Sequence, residues 1–494
     1  MKLYAILSQC KTSYKLINTQ DMSIIGITCN SKKVRNKYIF SCIKGNNYCG
    51  TSFIKDFIEQ KKVIILTNNS TRGMEHLDDE IKKTIPIILT NNIRKLTNEI
   101  LNIIYPSSLA ETIAITGTNG KTSVADYTRQ IWHKNNFNCF SFGTLGIFQN
   151  NKCIGETNLT TFDSETIFKS LRRITKMGGE RLIIEASSIG IDQNRIYPIK
   201  FNKIGITNLT HDHLDYHKTF RNYKNAKAKL FRYFSCKSTT AVLNADDRHF
   251  KFFKKICIDK NICFLDYGYN AAFLKIINID IKKKNIFLTL KIKEQEFKIV
   301  FEKISIFDIY NRLCAIIFVY GDLLDKSKFS VLRKLVSPPG RLEKVYDKTF
   351  TIYIDYAHTP DALEKTLESL KKIRKNNIIS LIGCGGDRDY EKRPLMTKVA
   401  LKFSSLVIIA DDNPRNEDPQ KIRNDMIYKL NKNDKRKIKN VGDRKKAIKQ
   451  GIEILQKNDI FVIFGKGHEK FQLIKDKKIP FSDSETVLKI IEGL

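Results

Sequence analysis

The chain has 494 residues, enough for about three domains at roughly 150 residues each. Hydrophobic residues make up 42% and charged residues 28%, which excludes a disordered or fibrous chain. Lys and Arg (86) exceed Asp and Glu (52) by 34 charges, so anionic partners come into play: nucleic acid, a membrane surface or small phosphorylated molecules.

The excess is spread along the chain, as in Lys282-Lys283-Lys284-Asn285-Ile286, and reads as compositional bias. No nucleic-acid partner is expected from it. Eleven cysteines, scattered from Cys10 to Cys384 without a Cys-x-x-Cys pair, fit reduced thiols in a cytoplasmic enzyme. Lys11 and Lys15 interrupt the apolar N-terminus, so no signal peptide is expected, and no run of 18 apolar residues calls for a membrane.

In chain order, residues 1–91 alternate short apolar runs (24–27, 63–66, 85–89) with polar turns, a small α/β domain. A helical pattern over 93–104 leads to the connector Tyr105-Pro106-Ser107-Ser108. The second domain, 92–336, opens with a strand at 112–116, a Gly-rich turn and a helix from Thr122. Further buried-type strands follow at 182–184 and 203–207, suiting a parallel sheet covered by helices. The stretch 272–301 alternates like antiparallel structure. Ser337-Pro338-Pro339-Gly340 breaks the chain and opens the third domain, 337–494. Its apolar runs at 351–354, 378–382, 406–409 and 460–464, separated by helical segments, predict a doubly wound, Rossmann-like unit. Ligands of such a unit sit at the carboxyl ends of its strands.

The chemistry is densest at Gly117-Thr118-Asn119-Gly120-Lys121-Thr122, between a strand and a helix. Gly117 and Gly120 let the backbone N–H groups turn towards phosphate oxygens. Lys121 supplies a charge for the outer phosphates, and the Thr122 hydroxyl can ligate magnesium. The strict eight-residue pattern needs Gly where Ile115 stands, so this is a variant loop.

With Ser123 added, this string resembles the ATP loop of the Mur ligases, which build the peptide stem of peptidoglycan. The resemblance continues in order through Asp212-His213-Leu214-Asp215-Tyr216-His217, Ala226-Lys227, Asn244-Ala245-Asp246-Asp247, Tyr310-Asn311 and Pro339-Gly340-Arg341-Leu342-Glu343. It ends with Asp355-Tyr356-Ala357-His358-Thr359-Pro360-Asp361, Gly383-Cys384-Gly385-Gly386-Asp387-Arg388, Asp412-Asn413-Pro414-Arg415 and Gly465-Lys466-Gly467-His468-Glu469. The Asp-Asn-Pro-Arg string resembles the signature of the branch that adds meso-diaminopimelate to UDP-N-acetylmuramoyl-L-alanyl-D-glutamate.

The resemblance implies a three-domain α/β enzyme: a small α/β N-terminal domain binding the UDP-sugar, a central P-loop-type ATPase domain with a mostly parallel sheet, and a C-terminal amino-acid-binding domain. It implies an ADP-forming amide ligase that passes through an acyl phosphate and works as a monomer. Its cofactors would be ATP, Mg2+ and a CO2-derived carbamate on Lys227. The carbamate turns that lysine into an anion able to help hold magnesium, together with Thr122, Glu185 and His213. By the same resemblance Asn311 and Arg341 contact ATP. Ser31, the Asn46-Asn47-Tyr48 turn, Thr160, Thr161, Ser187, Gln193 and Arg195 contact the UDP-sugar peptide. Arg388, Asp412, Asn413, Pro414, Arg415, Gly465 and Glu469 form the diaminopimelate pocket, where an arginine fork suits the distal carboxylate that lysine lacks.

Five positions depart from the family pattern: Cys49, Leu159, Phe162, Ile189 and Asp308. Ile189 replaces a histidine and removes a polar group near substrate or cation. A folylpolyglutamate-synthetase-like ligase and a nucleic-acid-dependent NTPase are the competing readings. The Asp-Asn-Pro-Arg string and the N-terminal domain weigh against the first, the dispersed charge against the second.

Overall fold

The computed structural model describes residues 1–45, 49–58, 61–68, 79–157, 159–236, 238–282, 285–302, 305–373, 376–428 and 430–493. Its strands form three main sheets and a short hairpin.

The first sheet runs Lys15–Ile17, Ile87–Thr90, Val63–Asn68, Tyr38–Ser41, Gly26–Thr28, parallel except at its first pair. The helix Ile93–Ile104 begins at Asn92, whose side chain accepts from the Lys95 N–H. Ile93, Leu96, Ile100 and Leu101 form its buried stripe. Within that stripe Thr97 meets Ser41 of the first sheet at 2.6 Å, and Asn98 Nδ2 donates to the Asn194 carbonyl at 2.6 Å. The helix therefore ties the first sheet to the part that follows.

The second sheet has eleven strands. At its centre Glu111–Thr116 lies between Arg181–Glu185 and Lys203–Ile206, all parallel. Continuous burial along these strands explains why they read as unbroken apolar runs. One flank ends in the antiparallel meander Leu274–Lys282, Asn285–Ile292, Gln295–Glu302, where alternate residues are buried as the period-2 pattern requires.

The third sheet runs Glu343–Asp347, Thr351–Asp355, Ile460–Phe464, Ile378–Ile382, Leu406–Ala410, Ile438–Gly442, parallel beyond its first pair. The hairpin Phe471–Ile474 and Lys477–Pro480 follows its last parallel strand. Among the described residues no helix is long and apolar enough to cross a membrane.

The departures from the family pattern separate into structural and surface positions. Phe162 is buried with its ring 5.5 Å from that of Phe142, Leu159 is exposed, and Cys49 Sγ accepts from Thr51 Oγ1 at 3.1 Å. Asp308, on the helix Ile306–Tyr320, pairs with the buried Arg312 at 2.8 Å and accepts from the Tyr127 hydroxyl. The carboxylate balances a guanidinium that burial would otherwise leave uncompensated. Asp308→Asn should cost about 3 kcal/mol, the lower end for breaking a buried pair, because the amide oxygen still accepts. A thermal melt should show the midpoint falling by several degrees, at about 2–4 °C per kcal/mol.

Candidate active site

Strand register brings the phosphate loop and its neighbours together. Glu185 pairs with Ile115 and Ile206 with Thr116, so the loop, Glu185 and residues 207–213 leave the sheet at one edge. Gly120, at φ 87°, caps the helix Lys121–Lys134, and a Cβ there would lie 2.4 Å from Asn311 Oδ1. That close approach seats Asn311 against the loop. Thr118 Oγ1 meets the Tyr223 hydroxyl at 2.9 Å, and the Asn119 N–H donates to Asn208 Oδ1 at 3.0 Å. Lys121 Nζ donates to the Gly117 and Thr118 carbonyls, each at 2.9 Å. Thr122 and Ser123 lie buried in the helix's first turn, whose N–H groups and dipole favour an anion.

Glu185 is buried at the end of its strand. Its Oε2 accepts from Thr122 Oγ1 at 2.9 Å and Thr144 Oγ1 at 3.2 Å, and its Oε1 from the Thr144 N–H at 2.9 Å. Burial raises its pKa, opposed chiefly by Lys121. Arg341 reaches across from the third sheet's side and donates to Thr122 Oγ1 at 2.9 Å.

Lys227 lies buried on the helix Phe220–Tyr233 and donates to the Gly117 carbonyl at 2.7 Å. Burial, and then the Lys121 charge, push its pKa well below that of free lysine. Among the described residues it forms no ion pair. His213 sits at φ 54° with Nε2 3.4 Å from Asp212 Oδ2. Burial lowers its pKa against the pull of Asp212, and Lys227 and Lys121 add to the lowering. Glu185 and His213 both act electrostatically on Lys121 or feel its charge. Among the described residues no three His, Cys, Asp or Glu side chains gather as a metal cluster. A cation here would need the hydroxyl of Thr122 and phosphate oxygens as well. Hard oxygen donors of this kind suit magnesium.

Beside Glu185 lie most of the predicted UDP-sugar contacts. Thr160 Oγ1 accepts from Thr144 Oγ1 at 3.1 Å, and Thr161 Oγ1 donates to the Glu185 carbonyl at 2.7 Å. Ser187 caps the short helix Ser188–Asp192, which carries Ile189. Arg195 donates to Gln193 Oε1 at 3.0 and 2.8 Å and to the Thr161 carbonyl at 2.7 Å. Ser31 opens a single turn, Ser31–Lys33, in the first sheet's part of the chain. Asn46, Asn47 and Tyr48 lie outside the described residues.

The predicted amino-acid pocket gathers on the ends of the third sheet's strands. Register sets Asp355 beside Phe464 and Ile382 beside Ile409, so Asp412, Asn413, Pro414 and Gly465 emerge together, all buried. Gly465 has φ 107°, and a Cβ would stand 2.4 Å from Asp412 Oδ2. Asn413 Nδ2 donates to Glu469 Oε2 at 2.9 Å. Arg415, at φ 52°, donates to the Gly386 carbonyl at 2.8 Å. Burial lowers its pKa, as does Arg388, against Asp412 and Glu469. Among the described residues neither Arg388 nor Arg415 is in an ion pair, so two guanidiniums flank this pocket with charge to offer an anion.

Several residues in this arrangement were not singled out as site residues from sequence. Asp361, an acid in the first turn of the helix Pro360–Ile373, accepts from Asn119 Nδ2 at 3.1 Å and Thr210 Oγ1 at 3.3 Å, joining the phosphate loop to the third sheet's part. An acid just after Pro at a helix start is a readable signal. Tyr356 lies under the Arg341 guanidinium (4.6 Å) with the His468 ring 5.4 Å away. Thr144, which holds Glu185, has no local sequence signal.

Two family patterns match the chain: the Mur ligase middle domain over residues 115–319 and the Mur ligase, glutamate ligase domain over 340–467. The chain is 36% identical over 470 residues to the UDP-N-acetylmuramoyl-L-alanyl-D-glutamate--2,6-diaminopimelate ligase of Aquifex aeolicus (strain VF5), covering 95% of this chain and 94% of that protein. It is 38% identical over 489 residues to the protein of the same name from Rickettsia rickettsii, covering 96% and 97%. A solved structure of a ligase of that name aligns with TM-score 0.65, 29% identity and 97% of each chain. The Mycobacterium tuberculosis folylpolyglutamate synthase shares the fold at TM-score 0.60 and 16% identity, covering 75% of this chain. With two domain matches in order and relatives alike over nearly its whole length, the chain belongs to the Mur ligase family.

Proposed function

We propose that this protein is the ATP-dependent, ADP-forming ligase that adds meso-diaminopimelate to UDP-N-acetylmuramoyl-L-alanyl-D-glutamate in peptidoglycan synthesis. The observation that carries the reading is the pair Arg388 and Arg415, unpaired by any described carboxylate, in the loops that follow the strands Ile378–Ile382 and Leu406–Ala410, in a part linked to the phosphate loop through Arg341 and Asp361. The named relatives support the same substrate pair. The division into 1–91, 92–336 and 337–494 accompanies it, one part for each substrate.

A carboxylate is a poor electrophile, so ATP activates it as an acyl phosphate, which the incoming amine attacks with release of phosphate. Charge builds on the transferred phosphoryl group, and positioned cations lower that barrier most. The loop N–H groups and Lys121 hold the phosphates; Asn311 and Arg341 complete the nucleotide's surroundings. Glu185, Thr122 and His213 would hold Mg2+, which neutralises phosphate charge when bound. Thr160, Thr161, Ser187, Gln193, Arg195 and Ser31 orient the UDP-sugar peptide. Arg415 and Arg388 take the distal carboxylate of meso-diaminopimelate, while Glu469 and Asp412 face its ammonium groups. The enzyme works as a cytoplasmic monomer in this reading, without nucleic acid or membrane.

Lys227 carries the carbamate. Burial, which lowers the pKa of Lys227, makes available the free electron pair that attacks CO2; an N–C bond forms, a proton leaves, and an anion replaces the amine beside Lys121. Incubation with 13C-labelled CO2 should give a carbamate carbon signal in the NMR spectrum that is absent from Lys227→Ala. A wild-type spectrum without that signal would remove the carbamate from the scheme.

The function itself is tested by ADP release with the UDP-sugar dipeptide and a panel of meso-diaminopimelate, lysine, folate and DNA. Release should require the UDP-sugar dipeptide and meso-diaminopimelate together. Release driven by DNA alone, or by folate, would overturn the reading.

A further inference from the structure

At the strand ends of the third sheet Lys466 lies wholly inside, with 0% of its side chain exposed. It follows Gly465 at the end of the strand Ile460–Phe464. Its ammonium donates three ways: to Glu469 Oε2 at 2.9 Å, to Asn413 Oδ1 at 3.2 Å and to the Phe471 carbonyl at 2.6 Å. An ammonium has three protons, and each is placed.

The three acceptors belong to three separate pieces of the pocket. Glu469 is the carboxylate assigned to an ammonium of the incoming amino acid. Asn413 precedes the arginine assigned to its distal carboxylate. Phe471 begins the hairpin strand, and that strand holds the arginine's backbone: the Arg415 N–H donates to the Leu473 carbonyl at 3.0 Å, and the Lys475 N–H to the Arg415 carbonyl at 2.7 Å. The Leu473 N–H returns to Asn413 Oδ1 at 2.9 Å. Through these bonds one buried cation reaches both the acidic and the basic ends of the pocket.

We infer that Lys466 is the positioning residue that presets the spacing between Glu469 and Arg415, and so the length of diamino acid the pocket accepts. This rests on the function proposed above. Lys466 neutralises one oxygen of Glu469 and holds the carboxylate in a single rotamer. The other oxygen is left to meet the ligand's ammonium. Holding both ends in place before binding removes an ordering cost from the amino-acid step alone. Among the described residues neither the phosphate loop nor the UDP-sugar contacts share a bond with it.

The test is Lys466→Met, with Lys466→Gln as a smaller perturbation, in the ADP-release assay at varied concentrations of each substrate. The KM for meso-diaminopimelate should rise at least tenfold, while those for ATP and the UDP-sugar dipeptide stay within twofold. In a Glu469→Gln background, Lys466→Met should add less than twofold, because the residue acts largely through that carboxylate. A fall in melting temperature with an unchanged amino-acid KM would overturn the proposal, as would effects of the two substitutions that multiply in full. A wild-type enzyme that releases ADP without meso-diaminopimelate would instead defeat the proposed function.

Discussion

Lys121→Ala is expected to abolish amino-acid-dependent ADP release, a loss of at least about 10^3-fold, the upper range for removing one group that stabilises transition-state charge. The lysine's bonds are to carbonyls of its own loop, Gly117 and Thr118. The loop keeps its other supports, Asn208 on the Asn119 N–H and Tyr223 on Thr118. The variant should therefore fold, as circular dichroism would verify, and fail at phosphoryl transfer. Lys121→Arg should fail too, because a planar fork cannot occupy the place of a compact ammonium among those carbonyls. Single-turnover assays that returned a tenth of wild-type rate would remove the lysine from its assigned role.

The second large effect is on selection of the amino acid. Arg415→Ala should raise the KM for meso-diaminopimelate by about 10–100-fold. That corresponds to the loss of a charge-assisted bond of roughly 1.5–3 kcal/mol at 1.4 kcal/mol per factor of ten. Lysine has no distal carboxylate, so any residual turnover with lysine should not change, and preference between the two should collapse. Arg415→Lys should recover only part of the loss, because a point charge replaces a two-pronged donor. The left-handed backbone at Arg415 is fixed by the hairpin bonds at Leu473 and Lys475, so the truncation leaves the turn in place. An unaltered KM would move the distal carboxylate elsewhere.

The parts of this enzyme that follow short-range rules were readable in the chain. Buried parallel strands such as Ile378–Ile382 and Ile460–Phe464 are unbroken apolar runs, and the helix Ile93–Ile104 is a capped amphipathic pattern. The phosphate loop is legible because its glycines answer a local demand of backbone geometry. The strands Cys139–Gly143 and Gly146–Gln149 were not legible, since Ser141 and the glycines dilute their apolar signal. Asp308 read only as a departure from the family pattern, because its partners are Arg312 one helical turn away and Tyr127 far earlier in the sequence. Lys466 stood in the Gly465–Glu469 string without a role for a different reason: in a chain this rich in lysine, a wholly buried one looks like any other. Only the third dimension separates it from the solvated majority.

The carbonyl of Gly117 accepts from two lysine side chains, Lys121 and Lys227. Burial lowers the pKa of both, Arg341 adding to the effect at Lys121 and the Lys121 charge adding to it at Lys227. In the proposed carbamate form Lys227 would be an anion, and its attraction would favour the charged form of Lys121 beside it on the same carbonyl.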